Sequence, residues 1–123
     1  MPSSLVAVVD DDASVRRALT RLLQSAGLQV VAYASAREFL DAEHSIDPEC
    51  GIFDIHLGGM SGLELLSRLR ESGDDLPVLI ITAHDDAQAR AAAAQAGCVA
   101  YLCKPLDAKV LLDEVATAMK RAA

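Results

Sequence analysis

The chain has 123 residues, 52% of them hydrophobic, a size and composition that suit one folded domain over residues 1–123 and argue against disorder. Its 18 acidic and 11 basic residues give a net charge of -7, which argues against direct nucleic-acid binding because such binding depends on basic patches. The sequence shows no apolar run of membrane-spanning length and no signal peptide, so we expect a cytoplasmic protein without membrane contact.

Strand-like runs recur along the whole chain. The first, Leu5–Val9, is apolar and rich in β-branched side chains, as is typical of a strand covered on both faces. Four later segments are also predicted to be strands, and Val78–Thr82 has the strongest strand character. In chain order these later strands cover residues 29–32, 51–54, 78–82 and 100–103.

A helix is predicted after each strand, because apolar residues recur there at helical spacing and capping residues precede them. Asp11 or Asp12 caps the first helix. Asp85 or Asp86 begins the fourth. The stretch 87–96 is nearly all alanine, which favours a helix but buries little area, so we expect this helix to be loosely docked. The second helix opens with the capping box 35–38, and the last helix carries an apolar stripe from Ala108 to Met119. The first four helices are predicted to end near Gly27, Ala42, Gly73 and Ala96.

Alternating strands and helices with short connections imply right-handed crossovers, and therefore a five-stranded parallel sheet with helices on both faces. Ligands of such α/β sheets lie beside the carboxyl ends of the strands, where the strand order reverses. Polar residues that end or follow a strand should therefore meet at one edge of the sheet. These residues are Asp10, Asp11, Asp54, Thr82 and Lys104.

The three consecutive aspartates at 10–12 suggest a cation site. Two like charges about 4 Å apart repel by roughly 4 kcal/mol at an effective dielectric near 20, so this cluster is costly unless a cation neutralises it. Helix capping explains only one of the three. Hard carboxylate oxygens with water suit Mg2+. An aspartate beside the cation, such as Asp54, can act as a nucleophile and form an aspartyl phosphate; the ordinary alternative is that it only begins a turn.

Other residues near this edge also have a functional and an ordinary interpretation. The Thr82 hydroxyl can donate to a phosphoryl oxygen or simply reflect strand propensity. Lys104 lies between a strand and a proline, beside the acidic cluster, which favours an ion-pair partner over a solvated lysine. Tyr101 can be a core aromatic. His56 and His84 are predicted to be exposed loop histidines and not metal ligands, because neither has a partner histidine at metal-binding spacing.

Two alternative functions fit the sequence less well. The segment 9–14 also resembles the aspartate motif of haloacid-dehalogenase-type phosphatases, in which Asp10 would be the nucleophile. Against that alternative, no acidic pair follows Lys104 at a strand end, there is no cap insertion, and Asp54 would have no role. A nucleotide-binding α/β domain would need glycines in the first strand-to-helix turn, where this chain has aspartates.

The joint spacing of these motifs resembles that of the receiver domains of bacterial two-component response regulators, along essentially the whole chain, and more narrowly that of FixJ-like receivers. The resemblance implies a flavodoxin-like sheet with strand order 2-1-3-4-5. It implies that a histidine kinase supplies a phosphoryl group, with self-catalysed transfer and autodephosphorylation in place of enzymatic turnover. It also implies a homodimer on phosphorylation and a C-terminal DNA-binding output domain that is absent from this chain.

The resemblance assigns a role to each residue at the sheet edge. Asp54 is the phosphoacceptor, Thr82 and Lys104 contact the phosphoryl oxygens, and Thr82 and Tyr101 form the switch. A cis peptide bond is implied between Lys104 and Pro105. All site residues are present, which argues against a degenerate receiver used only for docking. Mg2+ is implied to be held directly by Asp11, Asp54 and the backbone carbonyl of His56, and through water by Asp10.

Overall fold

The computed structural model of the protein describes residues 4–42 and 47–122. Strands and helices alternate throughout these residues, as the sequence predicts. The elements, in chain order, are β1 (Leu5–Val9), α1 (Ala13–Ser25), β2 (Gln29–Tyr33), α2 (Ala36–Asp41), β3 (Cys50–Asp54), α3 (Gly62–Glu71), β4 (Val78–Thr82), α4 (Ala87–Gln95), β5 (Ala100–Cys103) and α5 (Ala108–Ala122).

The strands form one parallel sheet in the order β2-β1-β3-β4-β5, which confirms the predicted fold class. Every residue of β3 and β4 is buried, because helices cover both faces of the sheet centre. The strand order reverses between β1 and β3, and in the register Val9 lies beside Phe53. The carboxyl ends of these two strands therefore adjoin at the point where α/β sheets form ligand sites.

Two apolar clusters, one on each face of the sheet, form the core. On one face, Phe53 packs edge-to-face against Phe39, with ring centroids 5.5 Å apart, and the residues of α3 complete the cluster. On the other face, Leu23 of α1 and Leu111 of α5 are fully buried against β1, β3 and β4. The sheet centre is thereby held rigidly, and the loops at the carboxyl ends of its strands extend from a fixed base.

Side-chain caps fix where the helices begin. The Asp12 carboxylate accepts hydrogen bonds from the backbone of Ser14 at 2.8 Å and Val15 at 3.4 Å, so Asp12 and not Asp11 caps α1. Asp86 caps α4 in the same way. Half of the predicted capping box is present, since Ser35 Oγ accepts from the backbone N–H of Glu38 at 3.1 Å, whereas Glu38 Oε1 accepts from the backbone N–H of Ala34 at 3.3 Å and not from that of Ser35. Asp11 is therefore left available at the end of β1.

Helix α4 buries fewer residues than any of the other four helices. Its only fully buried residue is Ala93, as the alanine-rich sequence predicts. Its carboxyl end is held by Arg70 of α3, whose guanidinium group donates to the carbonyl oxygens of Ala96 at 3.1 Å and Gly97 at 3.4 Å. The same side chain donates to the carbonyls of Asp74 and Leu76, each at 2.9 Å.

Across residues 4–42 and 47–122, no helix is both long enough and apolar enough to cross a lipid bilayer.

Candidate functional site

Asp10 follows the last residue of β1 and is completely buried. Its backbone N–H donates to the carbonyl of Tyr33 at 3.1 Å, which extends the β1–β2 pairing by one step and fixes the side-chain direction. One carboxylate oxygen, Oδ1, accepts from the backbone N–H of Asp12 at 2.9 Å. The Arg16 guanidinium donates to the backbone carbonyl of Asp10 at 2.7 Å. The neighbouring Asp11 is exposed, so its carboxylate is accessible to an ion in solvent.

Asp54 ends β3, the central strand, and its side chain is only 5% exposed. Its Oδ1 accepts a hydrogen bond from the backbone N–H of His56 at 3.1 Å, so the turn after β3 holds the carboxylate. Helix α3 begins directly against this turn at Gly62. A Cβ atom at Gly62 would overlap the backbone carbonyl of Asp54, which explains why a glycine stands there.

Lys104 brings the ends of three strands together. Its Nζ donates to Asp54 Oδ2 at 2.9 Å and to Asp10 Oδ2 at 3.1 Å, and its side chain is 20% exposed. Its backbone N–H donates to the carbonyl of Thr82 at 2.7 Å, and the Lys104-Pro105 peptide bond is cis. The predicted ion-pair role of Lys104 and the predicted cis bond are both confirmed.

The three carboxylates of Asp10, Asp11 and Asp54 form a cluster that fits a divalent cation. One oxygen from each can be chosen so that all three lie within 4.8 Å of one another. All are hard oxygen donors, and the exposed Asp11 keeps one side open to water, which suits Mg2+ or a similar ion. The sequence expectation that these three aspartates meet at the sheet edge is therefore correct.

Burial sets the electrostatics of this cluster. Desolvation raises the pKa of Asp10 above its ordinary value, and the hydrogen bonds from Asp12 and Lys104 only partly offset that rise. Burial alone would lower the pKa of Lys104, but its hydrogen bonds to Asp54 and Asp10 outweigh burial and raise the pKa overall. Lys104 is thus held in the charged form between two buried carboxylates.

Thr82 ends β4 and is fully buried. Its hydroxyl donates to the carbonyl of His84 and accepts from the backbone N–H of His84, each at 3.1 Å. The hydroxyl is therefore bonded within its own loop, and it must give up the bond it donates to the His84 carbonyl before it can donate to any other group.

Tyr101 lies on β5, partly buried against the core cluster of α3 and α4. The guanidinium carbon of Arg90 lies 4.4 Å from the centroid of the Tyr101 ring, and Arg90 also pairs with Asp85 at 3.1 Å. The Tyr101 hydroxyl is buried, and burial raises its pKa. Tyr101 is thus more than a core aromatic, because Arg90 links it to the β4–α4 loop.

His56 and His84 are exposed, as predicted, and although they do not stand at metal-binding spacing in the sequence, their side chains lie close together in the fold. Their ring centroids lie 5.4 Å apart, with the ring planes at 77°. The two residues are distant in sequence, which conceals the pairing. The signal that could have found it is positional: each lies two residues after the end of a strand, and those strands, β3 and β4, are parallel neighbours in the sheet.

The sequence of this chain is similar to those of known proteins. The family model described as the response regulator receiver domain matches residues 6–116. The chain is 43% identical over 117 residues to the transcriptional regulatory protein TdiR of Thauera aromatica, covering 95% of this chain and 52% of TdiR. It is 40% identical over 124 residues to the transcriptional regulatory protein FixJ of Azorhizobium caulinodans, covering 100% of this chain and 59% of FixJ.

A solved structure shows the same fold. The crystal structure of a response regulator receiver protein from Burkholderia phymatum is 44% identical and superimposes with a TM-score of 0.84, covering 96% of each chain. The haloacid-dehalogenase-type alternative receives no support from these comparisons. The chain spans only 52–59% of the length of the two transcriptional regulators.

Proposed function

The chain belongs to the family of response regulator receiver domains, which act in two-component signalling, and on that basis we propose that it accepts a phosphoryl group on Asp54. The observation that carries this proposal is the position of Lys104 Nζ, 2.9 Å from Asp54 Oδ2 and 3.1 Å from Asp10 Oδ2. A fixed positive charge beside a carboxylate nucleophile is what an incoming phosphoryl group requires.

In the proposed reaction, an oxygen of the Asp54 carboxylate attacks phosphorus in line with the leaving group. The new O–P bond forms as the bond between phosphorus and the donor nitrogen, on a phosphohistidine of a histidine kinase, breaks. The donor imidazole keeps the electron pair of the broken bond. Lys104 stabilises the charge on the phosphoryl oxygens because it is already positioned, so little reorganisation accompanies transfer.

The carboxylates of Asp10, Asp11 and Asp54 would hold Mg2+, with the backbone carbonyl of His56 as a further proposed ligand. Bound Mg2+ would neutralise charge on the transferring phosphoryl group. Asp10 is the most buried of the three, and its link to Lys104 keeps the lysine aligned when the group arrives. Autodephosphorylation, in which water attacks the same phosphorus, would return Asp54 to its free form.

The proposed switch begins at Thr82. To donate to a phosphoryl oxygen on Asp54, its hydroxyl must give up the hydrogen bond it donates to the His84 carbonyl, which loosens the loop between β4 and α4. That loop leads into the sparsely buried helix α4, whose Arg90 covers Tyr101. Movement of Thr82 would therefore alter the surface formed by α4, β5 and α5, through a shift between populations that exist before phosphorylation.

We further propose the setting in which this domain works. Residues 1–123 would form one receiver domain in the cytoplasm, where a histidine kinase is the phosphodonor. Phosphorylation would favour a homodimer. The names of TdiR and FixJ as transcriptional regulatory proteins, and their greater length, support a DNA-binding output domain C-terminal to this one.

Incubation with acetyl phosphate and Mg2+ tests the acceptor. The aspartyl phosphate would be reduced with borohydride and the modified residue mapped by mass spectrometry. We expect modification of Asp54 in the natural sequence and none in Asp54→Asn. Asp41→Asn, which removes a carboxylate outside the site, is the matched control and should be labelled normally. Label that persists in Asp54→Asn, or that maps to Asp10, would contradict the proposal.

A further inference from the structure

We propose that His56 and His84 form a second metal site, which takes one divalent transition-metal ion of the zinc class and is separate from the carboxylate cluster. Imidazole nitrogens prefer Zn2+, Ni2+ or Cu2+, whereas carboxylate and carbonyl oxygens prefer Mg2+. The ion would bridge the loops that follow β3 and β4. This site does not depend on the phosphoacceptor role proposed for Asp54.

The spacing of the two rings carries the proposal. With zinc–nitrogen bonds of about 2.0–2.1 Å and tetrahedral geometry, the centroids of two imidazoles on one ion lie about 5 Å apart. The centroids of His56 and His84 are 5.4 Å apart. Coordination leaves the angle between the ring planes free, so the observed 77° is compatible with a shared ion. Both side chains are exposed, and the broad χ2 of histidine lets each ring turn a nitrogen toward the ion.

Hydrogen bonds of the backbone hold both loops in place before any ion arrives. The N–H of His56 donates to the buried Asp54 at 3.1 Å, and the N–H of His84 donates to the buried Thr82 hydroxyl at 3.1 Å. Each histidine is therefore fixed to the end of a buried strand by the residue two positions before it. Because the loops are already placed, binding an ion costs little ordering entropy, which favours affinity.

Charge also favours a cation at this position. The chain carries a net charge of -7, and the carboxylates of Asp10, Asp11 and Asp54 gather at the same sheet edge. Water can complete the coordination sphere, because both histidines face solvent. Zinc sites in proteins ordinarily use three or four protein ligands, so a site with two histidines and water should bind the ion more weakly than those sites do.

Calorimetric titration of the whole chain with zinc chloride, in excess Mg2+ to occupy the carboxylates, tests the site. We expect one Zn2+ per chain. Loss of an outer-shell partner alone weakens metal affinity about 10–100-fold, so loss of a ligand in His56→Ala or His84→Ala should weaken it by about tenfold or more. His44→Ala, which removes the third histidine of the chain, and Cys103→Ser, which removes an exposed thiol, should bind like the natural sequence.

Three results would overturn the proposal: zinc binding that excess Mg2+ abolishes, equal binding in His56→Ala and the natural sequence, or loss of binding in Cys103→Ser. Dependence on only one of the two histidines would also overturn it, because the ion is proposed to be shared. A second experiment uses the natural sequence, so its result does not depend on whether a variant folds. Trace Cu2+ should broaden the imidazole resonances of His56 and His84 together, and broadening of only one of them would contradict the shared site.

Discussion

Lys104 and Asp54 are fifty residues apart in the sequence, yet Nζ of one lies 2.9 Å from Oδ2 of the other. The pairing follows from sheet topology, because β3 and β5 flank β4 and all three strands end at the same edge. Lys104 donates to Asp10 as well, so one ammonium group offsets two buried carboxylates. Two buried carboxylates this close would otherwise repel each other, which makes Lys104 important for stability as well as for chemistry.

We expect Lys104→Met to lower the free energy of unfolding by about 2 kcal/mol without Mg2+, because it leaves two buried carboxylates without a cationic partner. Lys109→Met is the control. It breaks an exposed pair with Asp113 and should cost less than about 0.5 kcal/mol. Urea denaturation measures both values. Equal losses in the two variants would show that Lys104 does not relieve repulsion in the site.

The raised pKa of Asp10 predicts a specific pH dependence. A carboxyl group whose pKa is raised by folding contributes stability below its ordinary value of 3.8 and loses that contribution as pH rises through the folded pKa. The stability of Asp10→Asn relative to the natural sequence should therefore increase as pH rises from about 3 to neutral. Denaturation in EDTA across that range measures it.

Asp12→Asn should show the opposite slope. Hydrogen bonds from the Ser14 hydroxyl and backbone lower the pKa of Asp12, so its contribution is present at neutral pH and is lost as pH falls. The stability of this variant relative to the natural sequence should decrease as pH rises. If the relative stability of both variants changed with pH in the same direction, burial would not be what sets the pKa of Asp10.

Mg2+ should stabilise the natural sequence by binding the folded state. At a concentration about ten times Kd, linkage predicts a gain of about 1.4 kcal/mol. Asp11→Asn should lose most of this gain, since it removes an exposed ligand of the cluster. Asp12→Asn should keep it, because asparagine also caps a helix and Asp12 lies outside the cluster. Thermal melts with and without Mg2+ distinguish the two, and an unchanged response in Asp11→Asn would contradict the site.

Gly62→Ala should destabilise the domain by about 2 kcal/mol, as overpacking does in a crowded core. The new Cβ would meet the backbone of Asp54, with the Asp54 carbonyl carbon 2.8 Å away. Gly58→Ala is the matched control in the same loop, because a Cβ there would have no atom within 4 Å. Urea denaturation of both variants tests this, and a neutral Gly62→Ala would show that α3 can shift away from β3 at little cost.

Thr82→Ala should bind the phosphoryl mimic beryllofluoride, but this binding should not change the conformation of α4. In the natural sequence we expect amide exchange of α4 to change on binding, because Thr82 releases the His84 loop. Thr117→Ala, which deletes an exposed hydroxyl on α5, should respond like the natural sequence. If amide exchange of α4 changed as much in Thr82→Ala as in the natural sequence, Thr82 would have no part in the proposed switch.

Much of the site could be predicted because its residues end apolar runs. Asp54 and Thr82 are the last residues of fully buried strands, and Asp10 directly follows one, so the alternation of strands and helices was enough to place all three at one edge of the sheet. The strand order itself did not follow from the pattern and came from the family resemblance. Sequence spacing alone allows several orders for five parallel strands.

What the sequence could not predict depends on loop paths. Asp11 and Asp12 are both acceptable helix caps, and only the backbone geometry after β1 selects Asp12. His56 and His84 each lie two residues after a strand end, but their rings meet only because β3 and β4 are neighbours in the sheet, which the linear spacing of the residues does not give. Arg70 was equally hidden, since its partners are backbone carbonyls that carry no sequence signature.

The four carbonyls held by Arg70 determine how α4 can move. Two of them close the carboxyl end of α4, and two belong to the segment that links α3 to β4. That end of the helix is thus tied to the sheet, while the end near Ala87 continues from the Thr82–His84 turn. If Thr82 changes its hydrogen-bond partner as proposed, we expect α4 to tilt about the Arg70 contacts. The displacement would be largest near Ala87 and smallest near Gly97, so the outcome would be a change in the angle of α4.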